Sequence, residues 1–96
     1  MDRERDVERS LVLALRKQKV TVVKFIPDGM TGMPDRLILL PDSRVIWVEL
    51  KTEGGRLSEI QKYRHEELKK MGQHVEVVWN KEQVAALAEK ISTGSY

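Results

Sequence analysis

The chain contains no cysteine. Disulfides, thiolate zinc sites and a cysteine nucleophile are therefore excluded, and a cytoplasmic location fits that composition. No apolar run reaches the roughly 18 residues needed to cross a membrane, so no membrane partner is expected. The opening residues Met1-Asp2-Arg3-Glu4-Arg5-Asp6 are charged and lead into an amphipathic segment, unlike a signal peptide. Internal repeats, low-complexity stretches and interdomain linkers are also missing, so residues 1–96 read as a single domain. Charge of one sign is not in large excess: 17 Lys and Arg stand against 15 Asp and Glu, a net charge of +2. Net charge alone therefore implies no nucleic-acid binding, and the distribution of charge has to carry that argument.

What is present is the composition of a globular domain, with 41% hydrophobic and 33% charged residues. A chain of 96 residues can bury a core, but burial at this size is not generous and oligomerisation would help. Residues 6–19 place Val7, Leu11, Ala14, Leu15 and Gln18 at helical spacing. Residues 20–26, rich in β-branched side chains, predict a strand. The run Pro27-Asp28-Gly29-Met30-Thr31-Gly32-Met33-Pro34 predicts a loop. Residues 36–40 and 45–51 read as two strands of a hairpin joined through Pro41-Asp42-Ser43-Arg44. Gly54-Gly55 closes this pair, and Leu57, Ile60, Arg64, Leu68 and Met71 then mark a second helix ending at Gly72. A strand over 74–79 follows. Asn80 is a suitable N-cap, with Gln83 at the capping-box position, for a last helix carrying Val84, Leu87, Ala88 and Ile91. The predicted order is αβββαβα, an α/β fold.

The chemistry-bearing residues gather at strand ends. Glu49 and Lys51 lie two residues apart on the third strand and so share a face. Asp35 leads into the second strand. A two-residue turn between these strands would point Asp35 away from Glu49, whereas three or five loop residues would pair them. Pro41 cannot donate a ladder hydrogen bond and belongs more naturally in the loop, which favours the odd count.

Two carboxylates and a lysine at one sheet edge suit phosphodiester hydrolysis. Carboxylate-held Mg²⁺ or Mn²⁺ can activate a water, and an ammonium can stabilise negative charge that grows on the phosphate. Glu8 borders the buried side of the first helix, where an unpaired carboxylate would be costly and a nearby cation would offset that cost. Gln61 sits on the inward stripe of the second helix, where its amide could orient a water or contact the phosphate. It also has a capping-box role open to it, in Ser58-Glu59-Ile60-Gln61. His65 and His74 lack metal-ligand spacing and are expected at the surface or a strand end.

Gly32-Met33-Pro34-Asp35, Val48-Glu49-Leu50-Lys51, Gln61 in the following helix and Glu8 in an N-terminal helix together resemble the VRR-NUC branch of the PD-(D/E)xK nucleases. The resemblance implies a small restriction-endonuclease-like αβββαβα core, with a central mixed sheet flanked by helices. It implies catalysis by Asp35, Glu49, Lys51 and Gln61, and metal binding by Glu8, Asp35, Glu49 and the main-chain carbonyl of Leu50. The implied cofactor is Mg²⁺ or Mn²⁺, with no small-molecule cofactor. Stand-alone phage and bacterial members of this branch imply a homodimer acting on branched DNA, as Holliday-junction resolvases do.

Lys51, Arg56 and Gln61 are the expected nucleic-acid contacts, Arg56 because Gly54-Gly55 permits close backbone approach. Lys62, Arg64, Lys69, Lys70, Lys17 and Lys19 could add phosphate contacts or simply form solvated helix faces. Trp47, Trp79 and the last helix are candidates for apolar contact in a dimer. The expected function is a structure-selective DNA endonuclease. Its alternatives are a non-catalytic nucleic-acid-binding or assembly module with the same fold, and an RNA endonuclease.

Overall fold

A computed structural model describes residues 3–96; Met1 and Asp2, the start of the charged N-terminal run, lie outside the described residues. The element order is αβββαβα: α1 (Glu4–Leu15), β1 (Thr21–Lys24), β2 (Arg36–Leu39), β3 (Val45–Leu50), α2 (Glu59–Lys70), β4 (His74–Val78) and α3 (Lys81–Ser92). Among the described residues, no helix is long and apolar enough to cross a membrane.

Val7, Leu11 and Leu15, spaced by four, form the buried stripe of α1. Arg3 is its N-cap, and the Asp6 carboxylate accepts from the Arg3 N–H at 3.1 Å, which favours the positive end of the helix dipole. The helix stops at Leu15, short of the predicted Lys19. Gln18 has left it, and the Gln18 Nε2 donates instead to the Ala88 carbonyl of α3 at 3.2 Å. Ala14, read as part of the stripe, is exposed.

The sheet runs β1-β2-β3-β4, with the first three strands antiparallel and β4 parallel to β3. A parallel neighbour needs a crossover, and α2 supplies it. Ile38, Leu40, Ile46, Val48, Leu50 and Val78 turn one sheet face toward Val7, Leu11 and Leu15 of α1 and Val84, Leu87 and Ala88 of α3. Trp47 and Glu49 alternate to the other face, where α2 lies. There the Trp47 ring meets Phe25 edge-on at 5.3 Å, and its Nε1 donates to the Gln73 Oε1 at 3.1 Å.

Helix α2 ends in a Schellman arrangement. Gly72 has φ 79°, its N–H reaches the Lys69 carbonyl at 2.9 Å, and the Gln73 N–H reaches the Leu68 carbonyl at 3.0 Å. Its inward stripe is rotated from the predicted one. Ile60 and Met71 are exposed, while His65 and Leu68 are buried. Asn80 caps α3 as predicted, its Oδ1 accepting from the Gln83 N–H at 2.9 Å. The Gln83 side chain accepts from the Trp79 N–H at 2.7 Å, one residue before the position a reciprocal capping box would use. The apolar stripe of α3 is packed in the core, so it does not present the free apolar face considered for a dimer.

The β2–β3 turn fixes the geometry of the sheet end. Leu40 N–H donates to the Arg44 carbonyl at 3.0 Å, leaving Pro41, Asp42 and Ser43 as a three-residue loop. Its last residue, Ser43, has φ 70°, the left-handed conformation that three-residue hairpins require there. Asp42 braces the turn, accepting from the Arg44 N–H at 3.1 Å and from the Arg44 Nε at 2.8 Å. The resulting register pairs Leu39 with Val45, Ile38 with Ile46, Leu37 with Trp47 and Arg36 with Val48. One step further along lie Asp35 and Glu49, opposite each other. The odd loop count expected from Pro41 is the observed one.

A non-glycine residue in the left-handed region costs roughly 1–2 kcal/mol, and more for a β-branched one. Ser43→Gly should therefore raise stability by up to about 1 kcal/mol, and Ser43→Val should lower it, as measured by urea unfolding. An unchanged Ser43→Val midpoint would contradict this turn conformation.

Candidate active site

The loop before β2 delivers Asp35. Gly32 has φ 87° and packs so closely on α2 that a Cβ would stand 2.8 Å from the Ile60 carbonyl oxygen. Arg64 Nε donates to the Thr31 carbonyl at 3.1 Å, and Pro34 is fully buried. Helix α2 thus holds the loop down. Beyond it, the Asp35 carbonyl accepts from the Phe25 N–H at 2.9 Å, and the Asp35 Oδ1 accepts from the Leu50 N–H at 3.3 Å. This places the Asp35 carboxylate beside the backbone of β3 where Glu49 and Leu50 end the strand.

Glu49 is only 3% exposed, although strand-end carboxylates usually reach water. Its Oε1 lies 3.1 Å from Nε2 of His65, itself 3% exposed. Burial pushes the Glu49 carboxyl up to about 7. The negative charge of Asp35 pushes in the same direction, Lys51 opposes it, and Glu4 adds a smaller upward contribution. Lys51 lies one residue past the end of β3, close enough to act on Glu49, half-buried and with no ion pair among the described residues. Two carboxylates and an ammonium are therefore brought together, as the hairpin register demanded.

Glu8 does not meet the two acids directly. Its Oε2 pairs with the Arg36 Nη2 at 2.8 Å, and Arg36 Nη1 donates to the Asp35 carbonyl at 2.9 Å and lies 3.8 Å from Asp35 Oδ2. Arg36 is the cation that offsets the half-buried Glu8. It is itself 7% exposed, and its Nε is buried with no hydrogen-bond partner. Gln61 takes the capping-box role that the sequence left open, since Oε1 accepts from the Ser58 N–H at 2.8 Å and the Gln61 N–H donates to the Ser58 Oγ at 3.2 Å. That fixes the amide and leaves Nε2 as the donor it can offer. Arg56 is exposed after the Gly54-Gly55 turn. Among the other basic residues, Lys62, Arg64 and Lys69 pair with Glu59, Glu67 and Glu66 one helical turn earlier or later on α2. They are partly neutralised surface charges.

His65 corrects the sequence reading. It is neither at the surface nor at a strand end, unlike His74, which is exposed at the start of β4. The signal was its position: four residues after Gln61 and three before Leu68, on the inward side of α2. Burial pushes the His65 ring below its usual range; Lys69 and Lys51 push the same way, and Glu66 opposes them.

The oxygen donors are of the kind a hard divalent cation takes, and among the described residues no three His, Cys, Asp or Glu side chains cluster, so a main-chain oxygen would have to complete the set. Asp35 and Glu49 supply carboxylate oxygens on adjacent strands, and Glu49 is raised first by burial and then by the negative charge of Asp35. Asp35, Glu49 and the Leu50 carbonyl are the groups that would hold it. Glu8 would join only by exchanging Arg36 for the cation.

A family model for the VRR-NUC domain matches residues 3–82. The chain belongs to the VRR-NUC nuclease family. It is 37% identical over 76 residues to "Putative nuclease p44" of Acyrthosiphon pisum secondary endosymbiont phage 1, a span of 79% of this chain and 82% of that protein. A solved structure described as a VRR_NUC domain superposes with a TM-score of 0.83 at 31% identity, covering 90% of this chain and 94% of the other. The mixed sheet and αβββαβα order of this VRR-NUC chain thus match a solved VRR-NUC structure.

The raised Glu49 has a consequence for stability. Its carboxyl, at about 7 in the folded chain against an ordinary 4.5, keeps a proton where the unfolded chain has released it. The stability this contributes is complete below about 4.5 and is lost as pH rises through about 7. His65, pushed down from 6.5, works oppositely: its contribution is present above 6.5 and lost on acidification. In metal-free protein, the thermal midpoint of wild type relative to Glu49→Gln should therefore fall as pH rises from about 5 to 8. A pH-independent difference would rule out the burial of an ionisable Glu49.

Proposed function

We propose that this VRR-NUC protein is a Mg²⁺- or Mn²⁺-dependent endodeoxyribonuclease that hydrolyses phosphodiester bonds in branched DNA, such as Holliday junctions, as a homodimer in the cytoplasm. The observation that carries the reading is Asp35 set opposite Glu49, with Glu49 buried and held up to about 7 beside it. A buried carboxylate set beside a second one is costly for folding alone, and the pair suits a cation-binding role.

A bound Mg²⁺ or Mn²⁺ would supply charge stabilisation and a more acidic water. The protein's own groups do the positioning. Lys51, close enough to act on Glu49 and without a competing ion pair among the described residues, is free to stabilise the charge that grows on the phosphate. Gln61, fixed by its bond to Ser58, presents Nε2 to a phosphate oxygen or an attacking water. Arg56, exposed beside the glycine turn, gives a phosphate contact outside the reacting centre. Two copies related by a two-fold axis would set paired cuts across a branched substrate.

The decisive experiment is a cleavage panel of linear, flapped, forked and four-way-junction DNA, together with RNA, in Mg²⁺, Mn²⁺ or chelator. Branched DNA should be cut with metal and not with chelator. Asp35→Asn, Glu49→Gln and Lys51→Ala should each lower the rate by about 10²–10³-fold or more while leaving the fold intact. Retained cleavage in all three variants sinks the assignment. Metal-independent binding with no product on any substrate would favour a non-catalytic nucleic-acid-binding module, and RNA cleavage alone would favour a ribonuclease.

A further inference from the structure

We infer that His65 is a positioning residue of the nuclease site, whose Nε2–H holds Glu49 Oε1 and so leaves Oε2 as the oxygen Glu49 turns toward a cation. The inference rests on the metal-dependent reading above. Glu49 is the penultimate residue of β3 and His65 lies mid-way along α2, elements that follow one another through the loop 51–58. Their contact of 3.1 Å is the polar bridge between strand and helix at this point, and both residues are 3% exposed.

An ionised carboxylate can only accept, so with Glu49 ionised the ring must carry its proton on Nε2. Apolar packing could have been met by a leucine, since His65 shares the buried stripe of Leu68. A buried imidazole with an idle N–H would cost free energy, and here that N–H has one acceptor within reach. Glu49 has three side-chain torsions, and without the bridge its carboxylate would sample several orientations beside Asp35. Polar partners that orient ligand carboxylates in this way commonly raise metal affinity by about 10–100-fold. Ser58 and Gln61 hold the start of the same helix, and Arg64 ties its middle to the Asp35 loop. One helix therefore sets both acids.

Mn²⁺ affinity, measured by calorimetry without nucleic acid, separates this role from packing. His65→Phe keeps an apolar ring and removes the donor; it should weaken Mn²⁺ binding about 10–100-fold with an unchanged far-UV spectrum. His65→Gln, whose amide can donate to the same oxygen, should recover most of that loss. Wild-type affinity in His65→Phe, or equal weakening in both variants, overturns the inference. Should His65→Phe fail to fold, ¹⁵N spectra of the wild-type protein in Mg²⁺ decide: a protonated Nε2 and bare Nδ1 on His65 support it, and the opposite tautomer overturns it. Absence of Mn²⁺ binding by the wild type overturns the metal-dependent reading and this inference with it, whereas binding retained in His65→Phe overturns the inference alone.

Discussion

The candidate site depends on the number of residues in one turn. Side chains alternate along a strand, so shifting the β2–β3 pairing by a single residue would move Asp35 to the face opposite Glu49. Pro41, Asp42 and Ser43 form the odd-length loop that prevents this, with Asp42 bracing the turn through Arg44. The same register sends Ile38, Ile46 and Val48 into the core. Site and core therefore enforce one another: a slip that separated the acids would also expose the apolar face that packs on α1 and α3.

Within this frame the site is electrostatically unbalanced. Glu49 is more buried than a carboxylate ordinarily is, and Asp35 raises its proton affinity further. Arg36, the nearest buried cation, is taken up by Glu8 and the Asp35 backbone, and Lys51 offsets the charge only in part. A buried carboxylate beside a second one suits a site for a cation and a phosphodiester, because charge stabilisation is strongest where water is scarce. Folding energetics and proposed chemistry pull in opposite directions at Glu49, which is common where function is located.

Helix α2 connects these features. As the crossover between β3 and β4 it is required by the parallel pairing, yet it also carries the contacts that shape the site. Gly32 approaches Ile60, Thr31 accepts from Arg64, and Glu49 meets His65. Its N-terminus is closed by the reciprocal Ser58–Gln61 bonds. An element that topology requires for one purpose thereby positions the loop before Asp35 and the carboxylate of Glu49 together.

The sequence by itself determined the order of elements, because apolar spacing, glycine and proline positions and helix caps are local signals. It also determined which acids and lysine could act together, because strand alternation and the unsuitability of Pro41 for the ladder are local constraints. Helix ends and the exact face of α2 were less legible: Gln18 left α1 to bond Ala88, and Ile60 and Met71 turned outward. Only the tertiary structure decided that His65 is buried against Glu49, that Arg36 takes Glu8, and that Glu49 is pushed up to about 7. Burial and charge coupling arise between residues far apart in the chain, and no periodicity within one segment can report them.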